Sequence, residues 1–329
     1  MSNNDNGTFD RTGEVHPLVN LLQGTIFVVC CCTATITNAL ILIMFAKFKH
    51  LRDTPGLSHL AVLALFDMLI GIGCVGEAAA QYRAFMGIAI TKGRCLAEFS
   101  VIVFAAFASP LFVLIIGCDR LGALHDPIAY RAIKHQQLAA KRGLAVTSVG
   151  ITQISLTFVF LFGDLNEVIP YCNPTVCWPP LYALGFFAMV TVEMLVMLLL
   201  YICVWSRNQQ MARSIASWQG QSQVLAEMKR QAKLTQMILL TVGVYLLLWV
   251  TPNIVVFVSV AVNVSQAVQM SLGCLIGMAQ GVNASVNIII YAKKAPVFNE
   301  CLRKLAGLQK TPVVAGQQLQ LHQMDHHHA

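Results

Sequence analysis

Few side chains able to do chemistry stand inside the long apolar runs of this sequence. Asp67 lies in "LAVLALFDML", and Glu77 and Glu193 stand in similar surroundings, with Asn38, Ser109, Asn253, Asn283 and Asn287 as the strongly polar companions. A lone carboxylate in hydrocarbon is costly, so each of these groups is a functional candidate whose partner has to be found. Asp67 is expected to face inward, where Asn38, Ser109, Asn283 and Asn287 can supply hydrogen bonds. A second constellation is "IIGCDRLGALHDPIAY", Ile115 to Tyr130, where Asp119 and Arg120 follow directly on an apolar run that begins near Cys95. Two opposite charges side by side at the edge of the hydrocarbon partly neutralise each other, and a movement of neighbouring segments would release Arg120. No convergent nucleophile, base or metal-ligand set accompanies them. Within the apolar runs His59 is the one histidine, so no enzyme is expected.

The elements that must position these groups follow from composition. The chain of 329 residues is 57% hydrophobic and 11% charged, with a mean hydropathy of +0.66, whereas an average soluble domain carries about 25% charged residues. Crossing about 30 Å of hydrocarbon takes roughly 20 apolar residues in a helix. Seven runs qualify: Leu22 to Ala46, Leu57 to Ala80, Cys95 to Cys118, Gly143 to Gly163, Leu181 to Trp205, Leu234 to Val262 and Met270 to Tyr291. None shows the alternating pattern of barrel strands. The expected fold is an all-α membrane protein, a seven-helix bundle.

"MSNNDNGTFDRTGEVHP" lacks the basic, apolar and small-residue order of a cleaved signal peptide, so the first helix is expected to act as its own insertion signal. Of the 22 Lys and Arg, all but Arg11, Arg83, Lys92 and Arg94 fall on one side of the seven runs. By the positive-inside rule this puts the N-terminus outside and the C-terminus inside. The net charge of +7 is then a topology signal, and no nucleic-acid partner is expected. Asn6 in "NGT" and Asn263 in "NVS" would both be exterior glycosylation sites. Three cysteines lie at the outer face: Cys95, and Cys172 and Cys177 in "PYCNPTVCWPP". An oxidising exterior favours a bridge from Cys95 to one of that pair. Cys177 is the preferred partner, Cys172 the other choice, and a Cys172–Cys177 bridge a third arrangement.

Together, "TNALIL", "LAVLALFD", Cys95 ahead of Asp119, "DRL", Pro252, and "NIIIY" followed by Phe298 resemble the rhodopsin-like G-protein-coupled receptors from about Leu22 to Leu305. The short "CWPPLYA" loop and the eroded landmarks are most similar to the nematode chemoreceptor branch. The resemblance implies a plasma-membrane receptor for an extracellular small molecule or short peptide that activates a heterotrimeric G protein and engages an arrestin. It implies that Arg120 pairs with Asp119 at rest, with Tyr201 and Tyr291 as its companions. It makes "HDPIAY", including Pro127, a loop that touches the G protein, and makes Asp67, Ser109 and Asn283, completed by Asn287, the holders of an allosteric sodium ion. No other cofactor is implied. Ile102 stands where amine receptors place an aspartate, so the expected pocket is lined instead by Glu77, Glu98, Phe99, Ile102, Asn253 and Phe257 under a lid containing Trp178. A basic odorant-like molecule or a short peptide would suit its two acids.

The chain also departs from the family pattern. Span five has Glu193 near the family's proline position, Pro110 interrupts span three, Val250 takes the toggle position ahead of Pro252, and Ile288 replaces a proline in span seven. The expected organisation is an extracellular tail over residues 1–21, a receptor domain over 22–305 and a disordered cytoplasmic tail over 306–329. The domain ends in an amphipathic helix along the inner leaflet, "KKAPVFNECLRKL", against membrane lipids, where Cys301 is a candidate for palmitoylation. The competing class is a seven-helix membrane protein without G-protein coupling, such as a ligand-gated channel or a transporter. A retinal protein would need a lysine in span seven, and Met270 to Tyr291 has none.

Overall fold

The computed structural model describes residues 17–169, 172, 177–217, 222–262, 264 and 266–308. Asn6, Asn263 and the tail beyond Leu308 lie outside the described residues. Seven helices are long and apolar enough to cross a membrane. Spans one to four are Pro17–Lys47, Ser58–Met86, Lys92–His125 and His135–Phe160. Span five is Pro180–Ser217, and span six runs as Ser222–Tyr245, a π-turn at Leu246–Val250 and Thr251–Ala261. Span seven is Gln266–Lys294, and a short helix, Pro296–Leu305, follows it. An α-helix satisfies its own backbone groups where water cannot, which is why each apolar run takes this form.

The helices outrun the apolar runs. Span one is helical from the first described residue, Pro17, inside the stretch expected as a tail. Span four begins at His135, where a polar turn carries the helix beyond its apolar part. Spans five and six extend well past Trp205 and ahead of Leu234. Pro110 sits within span three without ending it.

Close approach of small residues knits the first three spans. A Cβ on Gly71 would strike Thr35 and Ala34 of span one, and Cβ atoms on Gly73 and Gly76 would strike Ile102 and the Glu98 backbone of span three. Small residues at such crossings let helix backbones pack closely in lipid. Span one is tied to span seven by Asn38, whose Nδ2 donates to the carbonyls of Ala34 and Ala284, both at 2.9 Å.

The two ends of the bundle are built differently. At one end a two-residue antiparallel ribbon pairs β1, Ile90–Thr91, with β2, Val168–Ile169, braced by a Lys92–Glu167 ion pair at 2.5 Å. Cys95 is bonded there to Cys172. This corrects the preference for Cys177, whose Sγ lies 3.2 Å from that of Cys95. Both loop cysteines converge on Cys95, so spacing alone could not separate them. At the other end, short helices at Lys49–Asp53 and Pro127–Arg131 and the helix after span seven close the bundle. Phe298 of that last helix packs on Tyr291, ring centroids 5.6 Å apart. Cys301 also turns inward, fully buried with its Sγ 3.2 Å from His50 Nε2. Acylation there, an expectation from sequence, would require the helix to lift.

Candidate functional site

Three polar sites lie along the bundle, one at each end and one between. At the end opposite the disulfide, Asp119 is the hub. Arg120 Nη2 donates to its Oδ2, Tyr130 Oη donates to the same oxygen at 2.6 Å, and Arg142 Nη1 donates to Oδ1 at 2.8 Å. His59 Nε2 stands 3.8 Å from Oδ1 and accepts from Arg142 at 3.0 Å. Arg120 also donates to Tyr130 Oη, and its Nη1 reaches Gln231 of span six at 3.2 Å. Gln231 in turn donates to Glu227 at 2.8 Å. Arg120 thus links spans three and six from a fully buried position.

Local structure sets this knot. Asp126 caps the short helix by accepting from the backbone N–H groups of Ile128 and Ala129, at 3.1 and 2.9 Å, with Pro127 in its first turn. That turns Tyr130 inward, and burial raises its phenol above the ordinary range. Gly56, at φ 85°, closes the turn ahead of span two, and a Cβ there would run into the Arg120 guanidinium. The left-handed conformation and the lack of space both favour glycine.

The companions expected for Arg120 are placed elsewhere. Tyr201 donates to the Val113 carbonyl at 2.9 Å, and Tyr291 packs on Phe298. Among the described residues, the tyrosine hydroxyl bonded to Arg120 in this arrangement is that of Tyr130. The sequence reading missed Tyr130, Arg142, Gln231 and Gly56 in these roles. Tyr130 closes the quoted "HDPIAY", and "TPGL" announces the Gly56 turn; nothing local in the sequence marks Gln231 or Arg142.

In the middle, Asp67 accepts from Ser109 Oγ at 2.9 Å and from Asn287 Nδ2 at 2.7 Å. Asn283 completes the lining of a cavity of about 10 Å³, and its Oδ1 is buried without a hydrogen bond among the described residues. That volume is about what one water needs. A carboxylate, a hydroxyl and a spare amide oxygen around so small a space are suited to a water or a hard cation. Asn38 is not part of the group.

Near the disulfide end lies a cavity of about 80 Å³. Of the expected pocket residues, Glu77, Ile102, Trp178 and Asn253 line it, joined by Phe186, Phe187, Trp249 and Gln280. Glu98, Phe99 and Phe257 do not. Glu98 is held by Arg83 and, at 3.2 Å, by Arg94, so two guanidinium groups draw it away. Phe99 is buried in the core around Trp178, and Phe257 packs against the main core. The toggle expectation is corrected as well. Trp249 lines the cavity while Val250 faces a groove between spans five and six, because the π-turn at Leu246–Val250 changes the register ahead of Pro252. Pro252 has no N–H to give to the preceding turn, and next to it Asn253 Nδ2 donates to the Trp249 carbonyl at 2.7 Å.

A seven-helix bundle with a roofed cavity near one end and an arginine knot between spans three and six at the other defines the class of seven-transmembrane receptors. The family described as "Serpentine type 7TM GPCR chemoreceptor Srsx" matches residues 31–306, and the chain belongs to it. It is a nematode chemoreceptor family and the chain is a multi-pass membrane protein. No curated protein matches the chain.

Proposed function

We propose that this chemoreceptor sits in the plasma membrane with its N-terminus outside, binds a small molecule in the cavity beside Glu77, and activates a heterotrimeric G protein at the Arg120 end. The distribution of Lys and Arg supports that orientation. The observation that carries the coupling proposal is the bond from Arg120 to Gln231. It joins spans three and six at the surface a G protein would reach, and an outward movement of span six breaks it. A ligand shifts such an equilibrium only through its different affinity for the two arrangements. The group around Asp67 lies between cavity and knot, and we assign it an inorganic cation, sodium, that favours the resting arrangement.

The test is nucleotide exchange on purified heterotrimeric G protein by the receptor in lipid nanodiscs. Exchange above that of empty nanodiscs is the expected result. Failure across the G-protein classes, with a folded receptor, would leave a membrane protein without this coupling.

A further inference from the structure

The cavity near the disulfide holds one acid without a counter-charge. Glu77 is buried, 7% exposed, and no hydrogen bond or ion pair reaches its carboxyl among the described residues. The described lining includes no Lys, Arg or His. Glu98, the other acid expected at this cavity, is neutralised by Arg83 and Arg94. Around Glu77 the walls are aromatic: Trp178 packs against Phe186 at 4.8 Å and Phe187 at 6.4 Å between ring centroids, and Trp249 faces the same space. The Trp178 indole Nε1 is buried without an acceptor among the described residues. Gly273 and Gly277 of span seven complete the lining. A Cβ on Gly277 would stand 3.4 Å from Glu77 Oε1 and nearer still to the Phe27 ring.

A buried charge is stable only when paired, and aromatic faces attract cations most strongly where water is excluded. We propose that the ligand of this cavity is a small organic ammonium ion of single positive charge that also carries a hydrogen-bond acceptor. Its charge sits against Glu77 and the aromatic walls, and its acceptor takes the Trp178 N–H. The anchor is thus on span two, not at the Ile102 position of span three. One carboxylate matches one positive charge, and the cavity suits a compact molecule better than a chain bearing several basic groups. The inference rests on the receptor reading of this cavity, but its test does not use the G protein.

The probes are choline and cyclohexylammonium, each beside its neutral counterpart, 3,3-dimethylbutan-1-ol and cyclohexanol. Thermal melting of the purified receptor is followed against probe concentration, since a ligand of the folded state raises the midpoint as its concentration grows. Choline, which carries the acceptor hydroxyl, is expected to bind most tightly, cyclohexylammonium more weakly and the neutral counterparts not measurably. Glu77→Gln is expected to weaken choline about 30-fold or more, the size of losing one partner of a buried charge pair, while Glu98→Gln leaves it unchanged. The charged-against-neutral comparison on the unmodified receptor stands even if Glu77→Gln does not fold. Equal stabilisation by neutral counterparts, no stabilisation by either cation, or full affinity in Glu77→Gln would each overturn the proposal. Choline binding without nucleotide exchange would count against the coupling, whereas exchange driven only by neutral or acidic compounds would count against the cation alone.

Discussion

Asp119 and Glu77 are acids buried to a similar degree, 4% and 7% exposed, and they are treated in opposite ways. Asp119 accepts from Arg120, Arg142 and Tyr130, so its charge is held from three directions. Glu77 has no such partner among the described residues. A buried polar network that is satisfied stiffens one arrangement, and a buried group left alone is costly until something pairs with it. The bundle therefore keeps its acid paired at the knot and, among the described residues, unpaired at the cavity. Asp67, between them, is intermediate: each carboxylate oxygen has one donor, while the neighbouring Asn283 Oδ1 has none among the described residues. Ligand binding at the cavity can favour opening of the knot only if the two are linked, and reciprocity requires G-protein binding to raise ligand affinity by the same factor.

Breaking the knot should have the largest effect. Arg120→Ala is expected to reduce nucleotide exchange to that of empty nanodiscs while ligand binding to the isolated receptor persists. Asp119 keeps Arg142 and Tyr130 in that variant, so the loss falls on coupling more than on folding. Full exchange by Arg120→Ala at normal expression would remove the distinction between the two ends. Gly56→Ala offers an indirect version of the test, since its Cβ meets the guanidinium without removing a charge.

The seven spans were legible because length and apolarity in a membrane are set by the hydrocarbon itself. The pair Asp119–Arg120 and the group around Asp67 were legible because charge in an apolar run is costly enough to stand out. What could not be read was partner choice across helices. Glu98 and Glu77 look alike in sequence, yet Arg83 and Arg94 neutralise only the first. Val250 lies where a regular helix would put the toggle, but the π-turn gives the cavity to Trp249. Gln231 and Arg142 reach Asp119–Arg120 from other spans, a relation fixed by helix rotation and not by local pattern.

The cavity end can be tested through its roof. Removing a disulfide typically costs about 2–4 kcal/mol. Cys95→Ala should show that loss as a lower melting temperature, together with weaker ligand binding. Cys172→Ala should lose less, because the Cys177 thiol stands 3.2 Å from Cys95 and can form the replacement bridge under oxidising conditions. Mapping of disulfide-linked peptides in Cys172→Ala should recover Cys95 joined to Cys177; equal losses in both variants would show that the roof admits only one pairing.

The middle site gives a smaller effect. If sodium fills the space beside Asp67, a concentration ten times its dissociation constant stabilises the receptor by about 1.4 kcal/mol. Melting of the unmodified receptor should rise from N-methylglucamine to sodium buffer at equal ionic strength, and Asp67→Asn should melt alike in both. Identical curves for the unmodified receptor would leave the cavity to water.

The finest distinction rests on Tyr130. Its hydroxyl donates to Asp119 and accepts from Arg120, but its ring remains within 5.2 Å of the Arg120 guanidinium carbon in Tyr130→Phe. The substitution therefore removes hydrogen bonds while keeping the packing, a loss of about 1 kcal/mol per bond. That loss falls on the closed arrangement, where Arg120 is bound to Asp119, and should raise basal exchange about 30-fold, the factor that about 2 kcal/mol for the two bonds gives. Ligand affinity measured without G protein should change by no more than the same factor, and in the direction of tighter binding, since the arrangement that resists agonists has been weakened. Lower basal exchange in Tyr130→Phe would mean that the hydroxyl serves the open arrangement instead, and that the knot at Asp119 is not what holds the receptor at rest.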